Sequence, residues 1–284
     1  MKKTPLSKID RGVSGSEYKD EICRPGRLFY LRKGVDTMAD QFIRTRLLIG
    51  SEPLERLKNS SVAVFGVGGV GGYCIEALAR TGVGTLHLYD DDTVSESNLN
   101  RQLVALHSTL GQLKAEIAAQ RILDINPNCH VMAVPMFYLP QNADSVDLSQ
   151  YDYVVDCIDT VAAKLELVAR CNALQIKIVS AMGTGNKFDP SALTVTDISK
   201  TQGCPLARIM RKELRKRGIE HLKVVYSTEL PTTPLRAAEY EAPACTVSRP
   251  GSSARQNTPG SMPFVPAAAG LLLASEVVRE LGGF

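Results

Sequence analysis

The sequence predicts an α/β protein: a doubly wound, mostly parallel sheet with strands and helices added at its C-terminal end. Three observations predict it. Short apolar runs alternate with amphipathic stretches of helical period through the middle of the chain, the rhythm of strand–helix–strand units. Several of those runs are apolar without interruption, as parallel strands covered on both faces are. The first of them enters a glycine-rich turn that opens straight into a helix.

The elements follow in order. Residues 1–37 are mixed and polar, with no clean period, and are expected to lie outside the fold as an N-terminal extension. The remaining domain covers 38–284, its core starting near Gln41. A strand over 62–65 leads into the glycine turn, and a helix over 73–80 follows. Thr, Leu, His, Leu and Tyr at 85–89 make the second strand. A helix over 113–125 is stopped by Asn126-Pro127, because proline restricts the residue before it. Strands are expected at 131–134, 153–158 and 176–181, with a helix over 162–174 between the last two. After Gly185 the rhythm changes: strands at 193–198 and 224–226 flank a basic helix over 206–217. The stretch 228–262 holds five prolines and many Ser and Thr, and reads as a flexible crossover loop or lid. A helix near 267–281 closes the chain.

Composition narrows the function. The chain has 284 residues, 44% hydrophobic and 22% charged, enough for one large domain. A net charge of +3 argues against wholesale nucleic-acid coating. Between Lys200 and Lys223, however, eight basic residues face two acidic ones, so positive charge is concentrated there. Seven cysteines stand at 23, 74, 129, 157, 171, 204 and 245, none spaced as CxxC. That points to a reducing compartment and gives no support for a structural zinc site. The most apolar run, 264–274, is too short to cross a bilayer. A soluble, cytoplasmic protein without membrane contact is expected.

The chemistry is carried by a few motifs. Gly66-Val67-Gly68-Gly69-Val70-Gly71 is a G-x-G-x-x-G turn of the Rossmann-like kind. Its glycines let phosphate oxygens approach the backbone, and the helix start offers unpaired N–H groups. Asp90, 19 residues after Gly71 at the end of the second strand, suits ribose hydroxyls. A nicotinamide cofactor would need nothing more. Here Asp90-Asp91-Asp92 is followed by Asn98, Arg101 and Gln102, with Lys114 13 residues past Arg101. An Arg and a Lys beside a phosphate turn suit a triphosphate and its departing pyrophosphate. No G-x-x-x-x-G-K-[ST] is present, which excludes a P-loop enzyme.

The run GxGGxG…DxDxVxxSNxNRQ…GxxK…DCID resembles the ThiF, MoeB and HesA superfamily, bacterial relatives of ubiquitin-activating enzymes. The resemblance implies adenylation of a carboxylate by ATP with Mg²⁺. It makes Asp90 the ribose ligand and, with Asp92 beside it, part of the nucleotide site. It makes Asn98, Arg101 and Lys114 the phosphate contacts. It makes Asp159, in Asp156-Cys157-Ile158-Asp159, the residue associated with Mg²⁺ and ATP, although Thr160 stands where many relatives have Asn. Read from the residues alone, Asp159 has a second reading, as the cap of the helix that follows it. Arg44 matches an arginine finger that reaches the partner subunit's ATP, so a homodimer is implied.

Within the superfamily, Ser180 to Pro190, Asp197-Ile198-Ser199-Lys200-Thr201, Cys204-Pro205-Leu206-Ala207 and the closing Thr258 to Pro266 resemble the tRNA threonylcarbamoyladenosine dehydratase group, also called TcdA or CsdL. That resemblance implies an ATP-dependent cyclisation of a threonylcarbamoyl side chain on tRNA. The basic helix fits such a partner: Arg208, Arg211 or Lys212, and Arg215 recur at helical spacing on one face. A sulfur relay with a cysteine desulfurase or sulfur acceptor is a further implied partner. Cys204 at a helix start is its candidate thiol, though an incidental cysteine is the plainer reading. The alternative function is an adenylating activator of a ubiquitin-like or sulfur-carrier protein.

Overall fold

A computed structural model describes residues 28–30, 40–233 and 259–284. Among the described residues eight strands form one sheet: β1 (Leu28–Tyr30), β2 (Ser61–Phe65), β3 (Thr85–Tyr89), β4 (His130–Val134), β5 (Tyr153–Asp156), β6 (Lys177–Ala181), β7 (Leu193–Asp197) and β8 (Lys223–Ser227). Their order is β1-β4-β3-β2-β5-β6-β8-β7. All pairings from β4 across to β8 are parallel, while β1 and β7 pair antiparallel at the two edges.

The helices are α1 (Ile43–Ile49), α2 (Ser51–Lys58), α3 (Gly71–Thr81), α4 (Lys114–Ile125), α5 (Val161–Ala173), α6 (Pro205–Arg215) and α7 (Phe264–Gly282). The period of two along each strand assigns its residues to two layers. Val62 and Val64 of β2, Leu86 and Leu88 of β3, and Val155 of β5 face the core shared with α3, α4 and α7. Ala63, Phe65, Tyr89, Met132 and Val154 face the opposite core with Ala163, Leu167 and Cys171 of α5. A third cluster joins α5 to α6 under β8. Both faces are covered, which explains the unbroken apolar runs. No described helix is long and apolar enough to cross a membrane.

The order has one functional consequence. From β2 the chain winds outward through β3 and β4, then returns to the other side of β2 for β5 and β6. The C-terminal ends of β2 and β5 therefore diverge, and a crevice opens at that switch point.

Differences from the sequence reading are local. The fifth strand in chain order ends at Asp156 rather than 158, because residues 157–160 turn toward the crevice. Residues 28–30, expected outside the fold, add an edge strand to β4. An edge strand pairs through backbone groups alone, so no side-chain period announces it. Of the stretch 228–262, residues 228–233 and 259–262 carry neither helix nor strand. The rest of that expected loop lies outside the described residues.

Candidate active site

The glycine turn is built by backbone crowding. Gly66 has φ +94°, and a Cβ there would sit 2.8 Å from the Cys157 carbonyl oxygen. A Cβ on Gly71 would fall 1.8 Å from the Gly66 carbonyl oxygen. Only glycine lets β2 reverse into α3 against the end of β5. The turn presents Gly66, Gly68 and Gly69 to a cleft at the switch point.

Asp90, Asp91 and Asp92 line the same cleft at the end of β3. Asp90 accepts the Val67 N–H at 2.7 Å on one oxygen and the Asp92 N–H at 2.8 Å on the other. Burial lifts its carboxyl above the ordinary value of 3.8, against the opposing pull of Lys114 and those two N–H bonds. Lys114, 5% exposed, opens α4. Its N–H donates to the Asp92 carbonyl at 2.9 Å, and its Nζ to Asp92 Oδ2 at 2.9 Å. This double attachment closes the loop from Asp92 to Lys114 and holds an ammonium at the cleft.

Arg101 lies on that loop, half-buried. It donates to Ser97 O at 2.7 Å and to Asn100 Oδ1 at 2.9 Å. Burial draws its pKa below the usual value, and the guanidinium remains charged. Asp159 is exposed on the opposite wall, accepting the Thr160 hydroxyl at 3.2 Å. Thr160, not Asp159, occupies the N-cap of α5, and it caps with no side-chain bond. The capping alternative for Asp159 is therefore excluded.

Gly66, Gly68, Gly69, Asp90, Asp92, Arg101, Lys114 and Asp159 thus converge on one cleft. Three expected residues stand apart. Gly71 lies behind the turn. Asn98 is 8% exposed, its Oδ1 accepting the Ser95 N–H at 3.1 Å. Its carbonyl accepts the N–H groups of Arg101 and Gln102, so it shapes the turn that carries them. Arg44 is exposed on α1 and lines no part of this chain's own cleft.

The structure adds residues that the motifs did not single out. Phe65 and Tyr89 stack at 4.3 Å, and Tyr138 packs edge-on against Phe65 at 5.0 Å. All three line the cleft. Among the described residues, Gln102 Oε1 and the Tyr138 hydroxyl are buried without a hydrogen-bond partner. Both residues line the cleft. Buried polar atoms are seldom left so, and at a cleft a water or a ligand can satisfy them. Gln102 stood in the Asn-Arg-Gln run and could have been read from it. Tyr138 carried no such signal. Ser261, ahead of α7, and Pro266, in its first turn, reach the cleft, and Ser261 O accepts the Asn100 amide at 2.9 Å.

Two cysteines have distinct settings. Cys157 lines the cleft, and burial pushes its thiol pKa well up. Cys204 does cap α6, but it is 4% exposed and packs in the core with Met182 and Ala207.

The ThiF family profile matches residues 42–284. The chain belongs to the ThiF family. Among curated ThiF-family relatives, the tRNA threonylcarbamoyladenosine dehydratase of Bacillus subtilis (strain 168) is 43% identical over 247 residues, covering 86% of this chain and 95% of the relative. Among solved structures, the E. coli tRNA N6-threonylcarbamoyladenosine dehydratase TcdA in complex with AMP superposes with a TM-score of 0.74 at 33% identity. The same enzyme in complex with ATP gives 0.72, also at 33% identity. Both cover 86% of this chain and 94% of theirs. The ThiF-family cleft described above lies within the matched span.

Proposed function

We propose that the chain dehydrates N6-threonylcarbamoyladenosine in tRNA, adenylating the carboxylate of the modified base with ATP. The observation that carries this reading is the convergence of an open phosphate turn, one Arg, one Lys and two orphaned polar atoms on a single cleft. The TcdA relatives bind AMP and ATP, the product and substrate of such a step.

ATP enters with its ribose against Asp90 and its phosphates along the glycine turn toward Arg101 and Lys114. The aromatic wall of Phe65, Tyr89 and Tyr138 suits the base. The tRNA carboxylate attacks the α-phosphorus and pyrophosphate leaves. Arg101 and Lys114 meet the negative charge that develops on the phosphates. An atom of the same threonylcarbamoyl side chain then attacks the activated carbonyl carbon and displaces AMP. The oxygen lost from the side chain departs on AMP and the proton goes to solvent, a net loss of water. Because the nucleophile is already attached, proximity supplies much of the rate, and no protein nucleophile is required.

Asp159, with the phosphates of ATP, would hold Mg²⁺, which takes one or two carboxylates beside phosphate oxygens and neutralises charge. The reading includes a homodimer in which Arg44 serves the other copy's cleft. It also includes tRNA held by α6 and a cytoplasmic location, where both substrates are found. A sulfur relay finds no accessible thiol at Cys204. The carrier-protein alternative has no comparable support.

The test is mass spectrometry of nucleosides from threonylcarbamoyl-modified tRNA incubated with the protein, ATP and Mg²⁺. ATP-dependent loss of one water from the modified adenosine is the expected result. Unchanged nucleoside, with pyrophosphate exchange seen only when a Gly-Gly-tailed carrier protein is added, overturns it.

A further inference from the structure

Beneath the cleft lies an ion pair that the adenylation reading leaves without a task. Asp156, the last residue of β5, and Lys164, in the first turns of α5, are both 0% exposed, with Nζ and Oδ2 at 2.9 Å. The Ser180 hydroxyl donates to the same Oδ2 at 2.5 Å. A charge pair in a dry interior recovers only part of the solvation it loses, and apolar residues of the same volume often hold a core equally well.

Its remaining bonds supply a task. Asp156 Oδ1 accepts the Ile158 N–H at 3.1 Å, and Lys164 Nζ donates to the Ile158 carbonyl at 2.9 Å. Both backbone groups of Ile158 are gripped from below by the two members of one ion pair. No regular ladder reaches this residue, since β5 ends at Asp156 and α5 begins at Val161. Asp159 follows immediately and faces the cleft. A neutral pair of apolar residues could fill the space but could not hold an N–H and a C=O at once.

We propose that Asp156 and Lys164 are positioning residues that clamp the Ile158 peptide and so aim Asp159 at the nucleotide. The proposal rests on the adenylation reading, which gives Asp159 its role. It predicts that the pair acts on turnover through Asp159 and not through general stability.

The experiment is a double-mutant cycle on the full chain with modified tRNA and ATP. Asp156→Asn with Lys164→Met removes both charges together, so no lone charge is left buried. In the wild-type background this change is expected to lower kcat on the order of 10- to 100-fold, the scale of a misplaced reacting group. In an Asp159→Ala background the same change is expected to cost less than about twofold, since the residue it aims is gone. Ser180→Ala touches neither bond to Ile158 and is expected to leave kcat within about twofold. Equal losses in both backgrounds, or a Ser180→Ala loss as large as that of the double variant, overturn the clamp.

Hydrogen exchange of the wild-type chain decides the matter should the double variant not fold. Strong protection of the Ile158 amide, outside any regular element, supports the clamp; exchange at the rate of an open loop overturns it. A wild-type chain that dehydrates no tRNA would sink the adenylation reading, while the Ile158 amide still reports on the clamp.

Discussion

Lys114 is nearly buried, yet its ammonium reaches the cleft because Asp92 holds it there at 2.9 Å. Lys114→Met keeps the length of the side chain and removes the charge. It is expected to lower kcat for dehydration about 10²- to 10³-fold, the usual size for losing one preorganised stabiliser of developing charge. Steady-state kinetics on modified tRNA check it, with circular dichroism to confirm the fold. Asp90 gives a pH signature. Its carboxyl is lifted by burial above 3.8, and only the ionised form accepts hydroxyls on both oxygens. As pH falls through that raised value, the carboxylate protonates and ATP affinity weakens. The weakening therefore begins at higher pH than an exposed Asp would give. Titration calorimetry across an acidic series reads it directly, and Asp90→Asn is expected to bind weakly with the acidic limb gone. The glycines, Asp90, Arg101 and Lys114 were legible in the sequence because short motifs place them at fixed spacing beside a strand end. Tyr138 was not, because only the sheet order brings the loop after β4 beside Phe65. Asn98 was legible as a motif member but not as a turn former, a distinction fixed by its bond to Ser95.

Helix α6 sets its basic residues in two environments. Arg208, Lys212 and Arg215 are exposed. Arg211 instead turns inward, donating to Thr201 O at 2.9 Å and to the Thr201 hydroxyl at 2.5 Å. The helical spacing put Arg211 or Lys212 on one face with Arg208 and Arg215, but Arg211 does not join that exposed face, because spacing cannot tell which residue at its edge finds carbonyls to bind. Replacing Arg208, Lys212 and Arg215 together by Ala is expected to weaken tRNA binding and to flatten its dependence on log salt by about 2–3, one phosphate contact per residue. Arg211→Ala is expected to leave that slope unchanged and to cost about 1–3 kcal/mol of stability, because the Thr201 turn loses its donor. Fluorescence anisotropy over a salt series and denaturant melts separate the two outcomes. Elsewhere the element boundaries were readable where punctuation is strong, as at Asn126-Pro127 after α4. They were unreadable where the backbone alone decides, as at the β1 edge.

At the scale of the whole molecule, Arg44 is the residue on which the proposed homodimer can be tested. It sits on α1 among Ile43, Leu47 and Leu48, which are 47%, 81% and 85% exposed. Such a short apolar helix face is poorly suited to water. Arg44 lines none of its own cleft, so a role in catalysis requires that it reach another chain's cleft. A closed two-fold dimer would cover the apolar face of both copies and exchange both arginines at once. Mixing two inactive chains separates this arrangement from one in which Arg44 is merely structural. A chain carrying Arg44→Ala has an intact cleft and no arginine to lend. A chain carrying Arg101→Ala lends a sound arginine and has a broken cleft. Each variant alone is expected to be nearly inactive. After unfolding and refolding together in equal amounts, half of the dimers are mixed, and each mixed dimer holds one complete site. Activity is then expected to return to about a quarter of the wild-type level. A mixture no more active than its parents would place Arg44 outside the chemistry of either copy. It would also leave the exposed face of α1 to some other partner.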